Sequence, residues 1–141
     1  MLEGKTIHEI KVGDSAQITK TITEEIINDF ARVTGDTNPV HTNPAYAEKT
    51  IFKGRIAHGV YSLGIFSTIL GNILPGYGTI YLSQEVKFLS PVRIGDTIMA
   101  KVEVIEIIPE KNRAKFKTIC INQDGIIVVD GIAWAMPLRK E

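Results

Sequence analysis

Residues 56–84 contain no Asp, Glu, Lys or Arg, and within that run residues 57–74 read as one helix that is apolar nearly all round. Such a helix has no face to offer water, so it lies either in a bilayer or inside protein. His58, Ser62, Ser67, Thr68 and Asn72, with Gly59, Gly64 and Gly71, argue for the protein interior. Glycines let a sheet backbone come close, and Pro75-Gly76 stops the helix. The expectation is a central helix covered by its own chain, with no membrane span.

What could cover it follows directly. After the helix the period changes from helix to strand. Ile80, Leu82, Val86 and Phe88 alternate on one predicted strand, and Ile98, Ala100, Val102 and Val104 on the next, with Pro91 and Gly95-Asp96 between them. Ala114, Phe116, Thr118 and Cys120 share a face of a third; Asp124-Gly125 is a hairpin turn into a fourth, where Val128, Ile132, Trp134 and Met136 share a face. Upstream, Gly13-Asp14 turns into a short strand over residues 16–22. Thr23 caps a helix with Glu24 and Glu25 in its first turn and Ile26, Phe30 and Val33 at i, i+4, i+7. The segment around His8 shows no apolar period and reads as surface. An antiparallel sheet with one apolar face needs a cover, and the long apolar helix is the only element able to supply it. The reading is α+β, a single domain over residues 1–141, with an antiparallel sheet wrapped around a central helix.

A chain of 141 residues that is 44% hydrophobic suffices for one sizeable core. Its 16 acidic and 16 basic residues cancel, so no overall field draws nucleic acid or an anionic membrane, and an anionic ligand must be held locally. The start of the chain lacks the apolar run of a signal peptide, and the single Cys120 has no disulfide partner within the chain, which makes the cytoplasm the default location. Cys120 falls on a strand and reads as a small core residue.

The densest chemistry lies between the two predicted helices, in Phe30-Ala31-Arg32-Val33-Thr34-Gly35-Asp36-Thr37-Asn38-Pro39-Val40-His41-Thr42-Asn43-Pro44-Ala45-Tyr46-Ala47. Gly35 ends one helix, and Asn43-Pro44 starts a short one that runs to about residue 49. Pro39 pushes Asn38 toward extended geometry, so Asp36 and His41 sit on a stiff turn that can aim both at one point. A carboxylate and an imidazole together suit proton transfer near neutral pH. On residues alone, the segment reads equally as an ordinary Asx-Pro turn.

This segment resembles the signature of the (R)-specific enoyl-CoA hydratases of the MaoC-like dehydratase family: an aromatic residue, a Gly-Asp-x-Asn-Pro core, a following histidine and a later alanine. The resemblance implies the hot-dog fold, the same wrapped helix reached above, and pairing of chains into dimers with a continuous sheet. It implies that Asp36 and His41 are the catalytic pair and that the Gly59 N–H holds the thioester carbonyl of an acyl-CoA substrate. It further implies that Asn38 belongs to the substrate-binding set, that Ser67 and Leu70 line an acyl pocket, and that no cofactor is needed. A helix N-terminus suits a developing oxyanion independently of this, because its N–H groups are unpaired and its dipole end is positive. The competing reading is that Gly59 serves only helix-to-sheet packing; His58 reads better as a packing or turn residue than as a catalyst, and Ser67 can bond a carbonyl of its own helix.

Other chemistries have little support. Asp36 and His41 stand five positions apart with no third ligand clustered near them in sequence, there is no Cys-x-x-Cys or His-Glu-x-x-His, and no metal is expected. Gly76-Tyr77-Gly78 follows a helix, not a strand, so it is not a phosphate loop. Two alternatives remain: a 3-hydroxyacyl-carrier-protein dehydratase, and a hot-dog module that binds acyl thioesters without turning them over. Lys87, Arg93, Lys111, Arg113, Arg139 and Lys140 are scattered cations that single out no phosphate site.

Overall fold

The computed structural model describes residues 2–140. Strand β1 (Ser15–Thr21) leads into helix α1 (Glu24–Thr34), two short helices α2 (Pro39–Thr42) and α3 (Pro44–Glu48), and the central helix α4 (Tyr61–Asn72). Strands β2 (Ile80–Phe88), β3 (Thr97–Ile108), β4 (Arg113–Ile121) and β5 (Ile127–Met136) follow. All pair antiparallel in one sheet of order β1-β3-β4-β5-β2, so β2 and β3 are neighbours in sequence but lie across the sheet from each other. The sheet curls over α4, which packs against β1, β2 and β3. This is the wrapped helix that the uncharged run demanded.

The core lies between them. Ile98, Ala100, Val102 and Val104 of β3 and Ala114, Phe116, Thr118 and Cys120 of β4 face inward, as their alternation predicts. They meet Ile65, Phe66, Ile69 and Leu70 of α4. Phe66 and Phe116 are fully buried, each contributing about 1.5–3 kcal/mol by burial. The Asp124-Gly125 hairpin forms as read, with Gly125 at φ 77° and the Ile126 carbonyl accepting from the Asn122 N–H at 2.9 Å.

Several details differ from the sequence reading. Helix α4 has twelve residues and begins at Tyr61, not at residue 57. The Ala57 N–H is held by the Val92 carbonyl at 2.7 Å and the His58 ring by the Asp36 carbonyl, which keeps this stretch out of the helix. Nor is α4 covered all round: Gly64, Ser67, Thr68 and Asn72 form an exposed face. Among the described residues no helix is long and apolar enough to cross a membrane.

On α1 the buried residues are Ile27 and Ala31, whereas Val33 is 66% exposed, because the stripe turns one position from the predicted one. On β5 the inward residues are Val128, Val129, Ala133 and Ala135. The register shifts beside Cys120, parity changes at the two valines, and Ile132, Trp134 and Met136 end on the outer face. A bulge between Tyr81 and Ser83 does the same on β2: Ile80 and Leu82 are exposed, and Tyr81, Gln84 and Val86 are half-buried. His8 is exposed, but its neighbours Ile7 and Ile10 join the core despite their lack of period.

Burial pushes the Cys120 thiol from 9.0 up to about 12 and the Tyr81 phenol from 10.0 up to about 12. The unfolded chain releases these protons at the lower values while the folded chain keeps them, so this stability is complete below pH 9 and lost as pH rises toward 12. A melting temperature followed against pH should fall over that window, and Cys120→Ala should make the fall shallower. A slope that Cys120→Ala leaves unchanged counts against a buried thiol proton.

Candidate active site

Helix α1 ends where Gly35 turns left-handed at φ 81°, its N–H reaching the Ala31 carbonyl at 2.9 Å. The Thr34 hydroxyl donates to the Phe30 carbonyl at 2.6 Å and accepts from the Asp36 N–H at 3.1 Å, which fixes the path of the chain out of the helix. Asn38 adopts φ −47°, ψ 125°, the setting a following proline requires, and its Oδ1 accepts from the Val40 N–H at 3.2 Å. With a side-chain cap and proline at its first position, a helical turn forms at once, so His41 sits in α2 and not on an open turn.

The rest of the site comes from the segment before α4. The Ile56 N–H donates to the Val40 carbonyl at 3.3 Å, and His41 Nδ1 lies 2.7 Å from the Ile56 carbonyl. A carbonyl oxygen only accepts, so Nδ1 carries a proton, and in the neutral ring Nε2 is the acceptor. His58 Nε2 likewise donates to the Asp36 carbonyl at 2.9 Å, and the His58 ring stacks on His41 with 3.9 Å between centroids. Phe30 packs against His58 at 4.7 Å, tilted, and Tyr61 meets Phe30 edge-on at 5.9 Å. His58 Nδ1 is buried and has no partner among the described residues.

One nitrogen of each histidine and one carboxylate oxygen of Asp36 lie within 4.8 Å of one another, with Asp36 exposed, His41 half-buried and His58 buried. The third group absent from the local sequence is thus brought in by the fold. A carboxylate with two imidazoles is a donor set that can hold a metal ion, and it is equally one that can hold a single water and move its protons.

Beside it opens a cavity of about 440 Å³, its wall including His41, Gly59, Tyr61, Phe88, Cys120 and Val128. Gly59 lies in the turn ahead of α4, where its carbonyl accepts from the Ser62 N–H at 3.1 Å and the Ser62 hydroxyl at 2.7 Å. Backbone N–H groups at such a turn lack a preceding helical partner and can meet an oxyanion. The structure therefore brings Asp36 beside His41 and sets His41 and Gly59 on the wall of one cavity. It does not bring the others there: Asn38 caps α2, Ser67 is exposed on the open face of α4, and Leu70 is buried in the core.

A model of the MaoC like domain matches residues 8–124. The chain belongs to the MaoC-like family. This MaoC-like chain is 49% identical over 128 residues to an (R)-specific enoyl-CoA hydratase of Rhodospirillum rubrum, covering 91% of the chain and 88% of the relative. It is 43% identical over 133 residues to a 3-hydroxybutyryl-CoA dehydratase of Methylorubrum extorquens, covering 94% and 84%. Among solved structures, an unliganded R-hydratase from Pseudomonas aeruginosa superimposes with a TM-score of 0.92 at 43% identity, covering 99% of this chain and 89% of that one. The fold is the hot-dog arrangement.

Two residues of this MaoC-like site were not read from the sequence as part of it. His58 was visible only as half of a His-Gly pair, and its stacking depends on a turn that periodicity does not show. Arg55 is 8% exposed and touches the His41 carbonyl; its one sequence signal is that it is the last charge before the uncharged run.

A Cβ added at Gly59 would come within 2.8 Å of the Phe88 ring, which is 51% exposed and free to swing. Gly59→Ala should therefore fold but displace that ring into the cavity mouth, lowering turnover by about tenfold or more for a misplacement of this size. Adding Phe88→Leu should restore most of it. Kinetics of the single and double variants check this, and a Gly59→Ala enzyme as fast as wild type rules out close approach at Gly59.

Proposed function

We propose that this chain is an (R)-specific enoyl-CoA hydratase, adding water reversibly to a trans-2-enoyl-CoA to give the (R)-3-hydroxyacyl-CoA. The observation that carries the proposal is the Asp36 carboxylate within 4.8 Å of a ring nitrogen of His41, beside an apolar cavity that His41 lines. The named activities of the relatives point the same way.

In this reading the acyl chain enters the cavity, and the thioester carbonyl meets the Gly59 N–H. Polarising that carbonyl makes C3 electrophilic and stabilises the enolate that forms. Water bridges Asp36 and His41; Asp36 accepts one of its hydrogen bonds while His41 Nε2 takes the other proton as oxygen bonds to C3. The imidazolium then gives that proton to C2 from the same face, which restores the neutral ring and completes syn addition. Asp36, His41 and Gly59 are the catalytic groups. Asn38 supports the turn that carries His41.

The proposal extends to a single domain over residues 1–141, to a cytoplasmic location, and to a homodimer. The exposed face of α4 and the apolar residues on edge strand β2, where Ile80 is 53% exposed, support a second copy as their cover. That copy would also enclose Ser67. Light scattering should give twice the chain mass, and a monomer at micromolar concentration would remove the dimer from the proposal.

The activity is tested with crotonyl-CoA, whose conjugated-enoyl absorbance should fall on adding the protein, with the (R)-3-hydroxy isomer as product. Asp36→Asn and His41→Ala should each lower kcat by roughly 10²–10⁴ and leave substrate affinity little changed. Prolonged treatment with a chelator should leave turnover intact; loss restored by a divalent ion would move the water onto a metal held by Asp36, His41 and His58. Enoyl esters of graded length on coenzyme A and on a carrier protein separate hydratase from carrier-protein dehydratase, and binding without conversion of any of them would leave only an acyl-thioester binding module.

A further inference from the structure

The Arg55 side chain is 5% exposed, and its guanidinium reaches three acceptors on two other parts of the chain. Nε donates to the His41 carbonyl at 2.5 Å, Nη1 to Glu24 Oε1 at 2.7 Å and Nη2 to Asn28 Oδ1 at 2.6 Å. Burying a cation is unfavourable unless its donors are met, and here the planar fork meets them with one bond to α2 and two to α1. The His41 carbonyl lies at the end of α2, a helix of four residues, where it has no partner further along the helix. Arg55 supplies that partner. The next residue, Ile56, holds the His41 ring by its carbonyl and the Val40 carbonyl by its N–H. Residues 55 and 56 thus grip His41 by main chain and ring together, and Glu24 and Asn28 anchor the grip to a helix that is packed on the core through Ile27.

We propose that Arg55 is a positioning residue for His41, holding the imidazole where its bare nitrogen meets the water, with Glu24 and Asn28 as its anchors. The inference rests on the hydratase reading above, in which His41 is catalytic. Arg55 does not line the cavity, so it acts on the chemical step through His41 and not on acyl binding.

The test is a double-variant cycle on the full chain with crotonyl-CoA. Arg55→Lys keeps the charge and can still pair with Glu24, but an ammonium lacks the planar fork that meets acceptors on two elements at once. In the wild-type background it should lower kcat by roughly ten- to a hundredfold, the cost of shifting a reacting group by up to about 1 Å, with KM changed by less than about twofold. In a His41→Ala background it should have no further effect on kcat, because the residue through which it acts is gone. An equal loss in both backgrounds would make Arg55 a support of the fold alone and overturn the proposal, as would a lysine variant with wild-type kcat. If circular dichroism shows the lysine variant unfolded at the assay temperature, Asn28→Ala takes its place in the cycle and is judged by the same outcomes. A His41→Ala enzyme that turns over like wild type would instead sink the catalytic reading itself, and Arg55 with it.

Discussion

The fold depends on burying one face of α4, Ile65, Phe66, Ile69 and Leu70, while the opposite face stays open. A curved five-stranded sheet is what the chain has to cover that face with. The inward positions of the sheet mix small residues, Ala100, Ala114, Ala133 and Ala135, with the large Phe116, and all of them are fully buried. The large Trp134 is turned outward, where Lys115 lies over its ring.

The site hangs on this scaffold by main-chain carbonyls. Ile56 offers one to the His41 ring, Asp36 offers one to the His58 ring, and His41 offers one to Arg55. Carbonyls only accept, so the bonds to the two rings fix a protonated nitrogen on each, Nδ1 of His41 and Nε2 of His58. A segment with no regular secondary structure in its first part and only single helical turns in the rest therefore presents its side chains with the precision usually expected of helices and strands. The proline at position 39 and the caps from Thr34, Asn38 and Asn43 supply that stiffness.

The parts of the structure legible in the sequence were those set by local rules. Alternation placed the faces of β3 and β4, Thr23 capped α1, Asn43-Pro44 opened α3, and Asp36 and His41 lie close together, as their spacing around Pro39 suggested. What escaped was set by contacts distant in sequence. A bulge at Leu82 and a parity change at Val128 reverse which residues face inward, and neither has a signature that period counting can see. The start of α4 moved because residues 57 and 58 are bonded to Val92 and Asp36, far away along the chain. Asn38, Ser67 and Leu70 were assigned by likeness to a family, and in this chain they occupy a cap, an open helix face and the core.

The strand order has a kinetic side. The sequential hairpins β3-β4-β5 can close early through short loops, but β1 and β2 join the edges of that unit only by bringing distant parts of the chain together. All of residues 22–79, with the histidines, the carboxylate and the central helix, are strung between those two late-arriving strands. The loop that carries residues 36, 41 and 58 is therefore closed by contacts of high sequence separation at both edges of the sheet, β1 with β3 and β2 with β5, the kind that loop-closure entropy makes slow.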